Sequence, residues 1–343
     1  MSVSVGIASP EDATRWDAFV FSHPQGTFFH RFGWTSVIEK SFRQRCHFLI
    51  AKQGETVAGV YPLVHVQSPV FGNRLVSTGW CVGGGILAES DEAATALFAA
   101  AADLLASTNA GYIESRDPSR PQPGAQIQEG IYATFDRPME AEEDARLKQI
   151  PRKQRAVVRK ALKTGMTWRI DPDPETFYGL YSLTMRNHGT PIFGKRYFQN
   201  LLQEFGADCD ILTVYDGDRP LSSVMNYYFR DRVMPFYTGA VPEARKLGAA
   251  DLMYWHLMGH GIQRGCTVFD FGRSKLETGP YSFKKNWGFE PRPIVGEFLM
   301  KGDAPLPNVN PNNPKYKLMI NVWKRLPVPV ANIIGPWVGR QVG

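Results

Sequence analysis

Cysteine is scarce in this chain, and none of it is paired in sequence. Cys46, Cys81, Cys209 and Cys266 are the only four among 343 residues, with no CxxC or CxxxC spacing. A zinc knuckle and a dithiol redox site are thereby excluded, and buried free thiols are expected. Long apolar runs are also missing. The Ala-rich stretch 93–106 is interrupted by Asp103 and falls short of a bilayer span. The N-terminus lacks a basic segment followed by a continuous apolar one, so no secretory signal is expected and the cytoplasm is the default location. No HExxH motif is present, and His256 and His260, one helical turn apart, lack a third ligand. Ser274 stands in no GxSxG elbow and no Ser-His-Asp order, which argues against a serine hydrolase.

What is present is ordinary for a globular chain of about two domains. Apolar residues make up 43% and charged residues 21%, which excludes a disordered tract or a coiled-coil rod. The formal charge of +6 favours anionic partners only weakly unless it is clustered, and it is. Between Arg146 and Trp168 lie eight cations (Arg146, Lys148, Arg152, Lys153, Arg155, Arg159, Lys160, Lys163) and no acid. Pro151 suits the first turn of a helix carrying them, with Ala156, Val157, Ala161 and Leu162 as a partial apolar stripe. Such a helix is either a solvated basic face or a surface for a phosphate-rich substrate.

Punctuation and periodicity give a mixed α/β pattern that occurs twice. In the first half, one helix begins near Pro10 and a second is capped by Thr35 or Ser36, a hairpin spans 45–51 and 56–65, a helix covers 91–108, and strands follow at 111–116 and 130–135. In the second half, helices at 175–187 and 195–205 precede a meander over 211–216, 221–230 and 233–240, a helix at 247–264 and a strand at 267–272. Two related units are expected over 1–145 and 146–300, with the basic helix 146–168 as a bridge. The remainder, 301–343, holds a Pro/Asn-rich loop, a basic turn around 317–325 and the apolar stretch 326–339. Three prolines, Pro327, Pro329 and Pro336, argue against a membrane helix of ordinary length there, so the stretch is expected to pack on the body, with peripheral membrane contact as the alternative.

Arg245-Lys246-Leu247-Gly248-Ala249-Ala250 opens the helix at 247 and resembles the R/Q-x-x-G-x-G/A element of GCN5-related N-acetyltransferases (GNATs), with Arg245, Gly248 and Ala250 on its three positions. A glycine turn entering a helix presents backbone N–H groups to phosphate, and an ordinary helix start is the alternative. The segments Arg186–Pro191, Lys195–Phe198, Phe269–Ser274 and Gly279–Glu290, together with Phe28-Phe29, Trp34 and the basic 151–163 stretch, resemble the FemAB-like peptidyltransferases, in particular the branch associated with exosortase/PEP-CTERM and exopolysaccharide gene clusters. The resemblance implies tandem GNAT-like domains and transfer of an acyl or aminoacyl group to an amine of a cell-envelope or glycan precursor. No tightly bound cofactor is implied. The donor is a substrate, either aminoacyl-tRNA or acyl-CoA.

That chemistry needs an electropositive holder, an aligned amine and a route for its proton. Asp270, Arg273 and Lys284 are the catalytic candidates. Arg273 suits bidentate phosphate or carboxylate contact, Lys284 suits a developing oxyanion, and Asp270 is a possible base or a mere ion-pair partner of Arg273. Arg186, His188, Asn226, Tyr237, Ser274, Tyr281 and Lys285 are candidate substrate contacts. A CoA-dependent N-acyltransferase and a non-catalytic binder of nucleic acid or anionic glycan are the competing functions.

Overall fold

The computed structural model describes residues 2–302, 304–307 and 320–342, and these divide into two compact units. Most of the Pro/Asn-rich loop and the first part of the basic turn expected near 317 lie outside the described residues. The first unit comprises residues up to 131 with 294–309 and 339–343, and the second comprises 132–293 with 310–338. The boundary expected at 145 marks a change of composition. The chain passes between the units earlier, within the single strand β7 (Gln126–Pro138).

In the first unit, β1 (Val3–Ile7), β2 (Arg45–Gln53), β3 (Thr56–Val66), β4 (Arg74–Ser77), β6 (Tyr112–Arg116) and β13 (Arg292–Met300) are neighbours in that order, with β5 (Leu87–Ala88) paired to β3. The turn at 53–56 sets the β2–β3 register, and Gly54 supplies the positive φ of 63° it needs. Helix α3 (Asp91–Ser107), capped by Ser90 Oγ on Ala93 N, lays Ala93, Leu97, Ala101 and Leu105 on the sheet's Leu49, Tyr61, Leu63 and Leu75. Its alanines and Gly59 explain the close approach, because a Cβ on Gly59 would come within 2.9 Å of Leu97 Cδ1. Helices α1 (Ala13–Ser22) and α2 (Trp34–Phe42) bury Trp16 and Trp34, whose indole N–H groups donate to His30 O at 2.7 Å and Phe28 O at 3.0 Å. Helix α2 starts at Trp34 with Gly33 as its cap, two or three residues ahead of the Thr35 or Ser36 cap expected.

The second unit orders β7, β12 (Val268–Lys275), β11 (Arg232–Ala240), β10 (Arg219–Phe229), β9 (Cys209–Asp216) and β8 (Thr167–Ile170). Helices α6 (Glu175–His188) and α7 (Lys195–Phe205) precede the β9–β10–β11 meander. Helices α8 (Ala244–Leu247) and α9 (Ala249–Gln263) cross from β11 to β12, and α10 (Gly279–Asn286) follows. The basic segment forms α4 (Glu143–Gln149) and α5 (Arg152–Ala161), and α11 (Val328–Gly339) is the last helix among the described residues.

The two units repeat one device. A hairpin feeds a strand, a helix crosses over, and the next strand runs parallel to the one before the helix. In each, that parallel pair is bonded at two positions only: Leu75↔Ile113 and Val76↔Glu114 in β4/β6, Arg232↔Val268 and Val233↔Phe269 in β11/β12.

Candidate functional site

Beyond Val233 and Phe269, β11 stays paired to β10 as far as Ala240 and β12 stays paired to β7 as far as Lys275. A gap therefore opens between the carboxyl ends of two parallel strands, the place where open α/β sheets receive ligands. Both strands carry a bulge there. Register shifts at Met225/Asn226 opposite β11 and at Asp270/Gly272 in β12, where Gly272 has a φ of 64°. Bulges bend a strand and re-aim its side chains.

The end of β12 is pinned from two directions. Asp270 accepts the Gly272 N–H at 2.8 Å and faces Arg232 at 3.7 Å. From α10, the Lys284 ammonium donates to three carbonyls, Phe271 O at 2.7 Å, Gly272 O at 2.9 Å and Arg273 O at 3.0 Å. All three of its hydrogens are thus engaged, so a substrate oxygen reaches Lys284 only by displacing a carbonyl. Burial lowers its pKa to about 7, against the pull of Asp270 in the other direction. Burial also raises Asp270, with Asp136 adding to the effect.

Other candidates gather around the same strand end. The Arg273 guanidinium lies 4.8 Å from the Tyr132 ring, Tyr281 meets Phe135 edge-on at 5.3 Å, Ser274 is buried, and exposed Lys285 sits 5.9 Å from the Tyr281 ring. Tyr237, on β11, turns to α6 and α7: its hydroxyl is 3.0 Å from that of Tyr197, and its ring packs on Phe198 at 5.3 Å. Gly239 lets α6 approach, since a Cβ there would overlap the backbone of Leu180 and Tyr181. Tyr254, which no motif signals, reaches from α9 to Phe271 at a ring distance of 4.9 Å and bonds Thr238, so it touches both strands beside the gap.

The remaining candidates stand elsewhere. Asn226 has no exposed surface and donates to Asp210 at 2.9 Å. Asp210 also takes the Tyr228 hydroxyl at 2.8 Å and lies 3.0 Å from His260 Nε2, which makes a polar core network. Arg186 donates to Lys324 O at 3.4 Å, and Gly189, after His188, lies against Ile320 and Lys324, so the end of α6 meets the C-terminal segment.

At the α8–α9 corner, Gly248 adopts a φ of 73°, and a Cβ there would stand 3.2 Å from Ala161 Cβ of α5. Arg245 is exposed and Ala250 half-buried. The first turn of α9 already holds a carboxylate: buried Asp251 accepts Trp287 Nε1 at 3.0 Å, Gln154 Nε2 and its own backbone N–H. Desolvation raises its pKa.

The basic cluster splits in two. Arg146 is buried, donates to Glu140 O and Ala141 O at 3.1 and 3.0 Å, and stacks over Trp255 at 4.8 Å. Arg155 is half spent on Ile150 O at 3.0 Å and Lys148 O at 3.2 Å. The open face of α5 and the turn after it line a shallow groove of about 550 Å³ with Arg152, Arg155, Ala156, Arg159, Lys160 and Lys163. None of these five cations has an acidic partner among the described residues.

Residues 146–285 match the family model described as an acetyltransferase (GNAT) domain. No curated protein matches the chain in sequence. Among solved structures it is similar to FemX, at 18% identity and a TM-score of 0.69, over 92% of this chain and 100% of that one. It is also similar to a tandem GNAT protein from the clavulanic acid biosynthesis pathway, at 11% identity and a TM-score of 0.56 over 89% and 100% of the two chains. A third is L-PGS from Bacillus licheniformis, at 15% identity and a TM-score of 0.54 over 93% and 97%. The fold is therefore a mixed α/β, tandem GNAT-like one, as the sequence led us to expect.

Proposed function

We propose that this chain transfers an acyl or aminoacyl group to a primary amine, in the manner of the FemAB-like proteins it resembles, and that the amine belongs to a cell-envelope or exopolysaccharide-related precursor. The observation that carries the proposal is the gap between β11 and β12 with Lys284 and Asp270 at its rim. The amine nitrogen attacks the donor carbonyl, the carbonyl oxygen gains charge, and the bond to the ribose oxygen or the thioester sulfur breaks as that atom takes up a proton. Lys284 stabilises the oxyanion by exchanging a carbonyl partner for it, which low-dielectric surroundings make worthwhile. Asp270, raised by burial, accepts the amine proton. Arg273 holds a donor or acceptor anion, and Tyr281, Ser274 and Lys285 line the approach.

Two observations favour aminoacyl-tRNA over acyl-CoA as donor. Five cations without acidic partners among the described residues, on α5 and the turn after it, suit a sugar-phosphate backbone. The first turn of α9, where a CoA pyrophosphate would rest on Arg245, Gly248 and Ala250, already holds the Asp251 carboxylate and is crowded by α5. The association with exosortase/PEP-CTERM clusters is proposed on the sequence resemblance alone.

The test is a donor comparison, charged tRNAs against acyl-CoAs, read as a mass increase on amine acceptors. Transfer from charged tRNA, reduced at least 100-fold in Lys284→Ala and Arg273→Ala, is expected. Transfer from CoA thioesters alone would overturn the donor assignment. Wild-type turnover in both variants would overturn the site. RNA binding without transfer from any donor would favour a binding protein.

A further inference from the structure

Helix α11 presents two faces of opposite use. Ala331 is fully buried, and Gly335 lies so close to Ile192 that a Cβ would come within 2.9 Å of its carbonyl oxygen, so this side rests on the connection between α6 and α7. The other side exposes Val330 (37%), Ile333 (79%), Ile334 (41%) and Trp337 (50%), spaced i, i+3, i+4, i+7. Single exposed apolar residues are ordinary, whereas four on one helical stripe form a patch. Val322, just upstream, is 56% exposed as well.

The charges that the C-terminal segment itself carries are of one sign. After Asp303 the sequence has no acidic residue, and it carries Lys315, Lys317, Lys324, Arg325 and Arg340. Lys324 and Arg325 are exposed just before α11, and Arg340 follows its last residue. An apolar stripe with a tryptophan and with cations at both ends matches the boundary between acyl chains and anionic headgroups. A second copy of the chain is the competing occupant, and stripe-to-stripe pairing would set the cations of this segment against one another with no acid of the segment's own to neutralise them. Crossing the bilayer is excluded for α11, since 12 residues rise only about 18 Å against a hydrocarbon core of about 30 Å.

We propose that α11 is an interfacial anchor that lies in the surface of an anionic membrane, with Val330, Ile333, Ile334 and Trp337 entering the acyl boundary and Lys324, Arg325 and Arg340 meeting lipid phosphates. The anchor does not depend on the transfer reaction. It would hold the enzyme at the surface where a lipid-linked acceptor resides.

Flotation of the full chain with vesicles of equal phosphatidylglycerol and phosphatidylcholine, against vesicles of phosphatidylcholine alone, tests it. Binding to the anionic vesicles, at least tenfold weaker to the neutral ones and weakened by 0.5 M salt, is expected. Ile333→Asp and Trp337→Ser are each expected to reduce it at least tenfold while circular dichroism stays unchanged, and Lys324→Gln with Arg325→Gln to reduce it severalfold. Absence of wild-type binding, or binding that survives Ile333→Asp, overturns the anchor. So does a concentration-dependent dimer that Ile333→Asp abolishes, which would assign the stripe to a second copy.

Discussion

Lys284 shows how much of a residue's role its surroundings decide. Its place in the Tyr281-Ser282-Phe283-Lys284 run suggests a mobile point charge, but the structure fixes the ammonium on three carbonyls of β12. Sequence could not show this, because the carbonyls belong to residues 271–273 and only the turn before α10 brings the lysine back to them. Its folded pKa of about 7 lies below the ordinary lysine value of 10.5, so between those values the unfolded chain binds more protons than the folded one. Stability therefore rises with pH across that window, and the cost of the buried charge is fully present below pH 7. Urea unfolding at pH 7 and pH 9 should show the wild type gaining a few kcal/mol relative to Lys284→Met as pH rises. Parallel behaviour of the two proteins would mean that the lysine is not desolvated. Asn226 teaches the opposite lesson. A polar residue inside a strand looks like a substrate contact, yet it is wholly buried in the Asp210 network, and only its burial distinguishes the two cases.

At the scale of elements, most helices and hairpins were legible because apolar periodicity and turn glycines are local signals. Helix α7 has the expected limits, and the 53–55 turn joins the expected strands. Short β4, β5 and β8 were not legible, since two to four residues carry no periodicity. The gap itself was equally hidden, because the loss of pairing between β11 and β12 is a tertiary event. Its shape can be probed through two glycines. Gly239→Ala places a methyl group in the backbone of α6, so a loss of about 3 kcal/mol or failure to fold is expected, while Gly272→Ala meets open space and pays only the strain of a positive φ, about 1 kcal/mol. Equal losses in thermal unfolding would contradict the close packing of α6 on β11. The basic segment was legible as a cluster but not as a division of labour between buried Arg146 and the open face of α5. If that face binds RNA, reversing Arg159, Lys160 and Lys163 to Glu should leave the fold intact and flatten the plot of log affinity against log salt by two to three units of slope. An unchanged slope would show that the phosphates bind elsewhere.

For the whole molecule, the sequence shows the doubling of one plan but not the point at which the chain passes from one compact unit to the next. A composition change at the basic segment looks like a linker, whereas β7 runs unbroken from 126 to 138 and the first unit is completed only by residues from 294 onward. Strand β13 pairs along β6 from Gly296↔Arg116 to Met300↔Tyr112, buries Phe298, and sets Glu297 to accept the Gln122 N–H at 2.7 Å. No local pattern near residue 131 can announce a partner more than 150 residues away. A fragment of residues 1–145 consequently lacks a strand of its own sheet and exposes the unpaired edge of β6, which invites aggregation. It is expected to be insoluble or to lack near-ultraviolet dichroism, and fusing residues 292–302 behind residue 131 through a flexible linker should restore soluble, cooperatively unfolding protein. Cooperative folding of 1–145 alone would show that the first unit is independent of β13. Restoration by the fusion would show instead that the N-terminal copy is built from both ends of the chain, so that its folding waits until residues near 300 have been made.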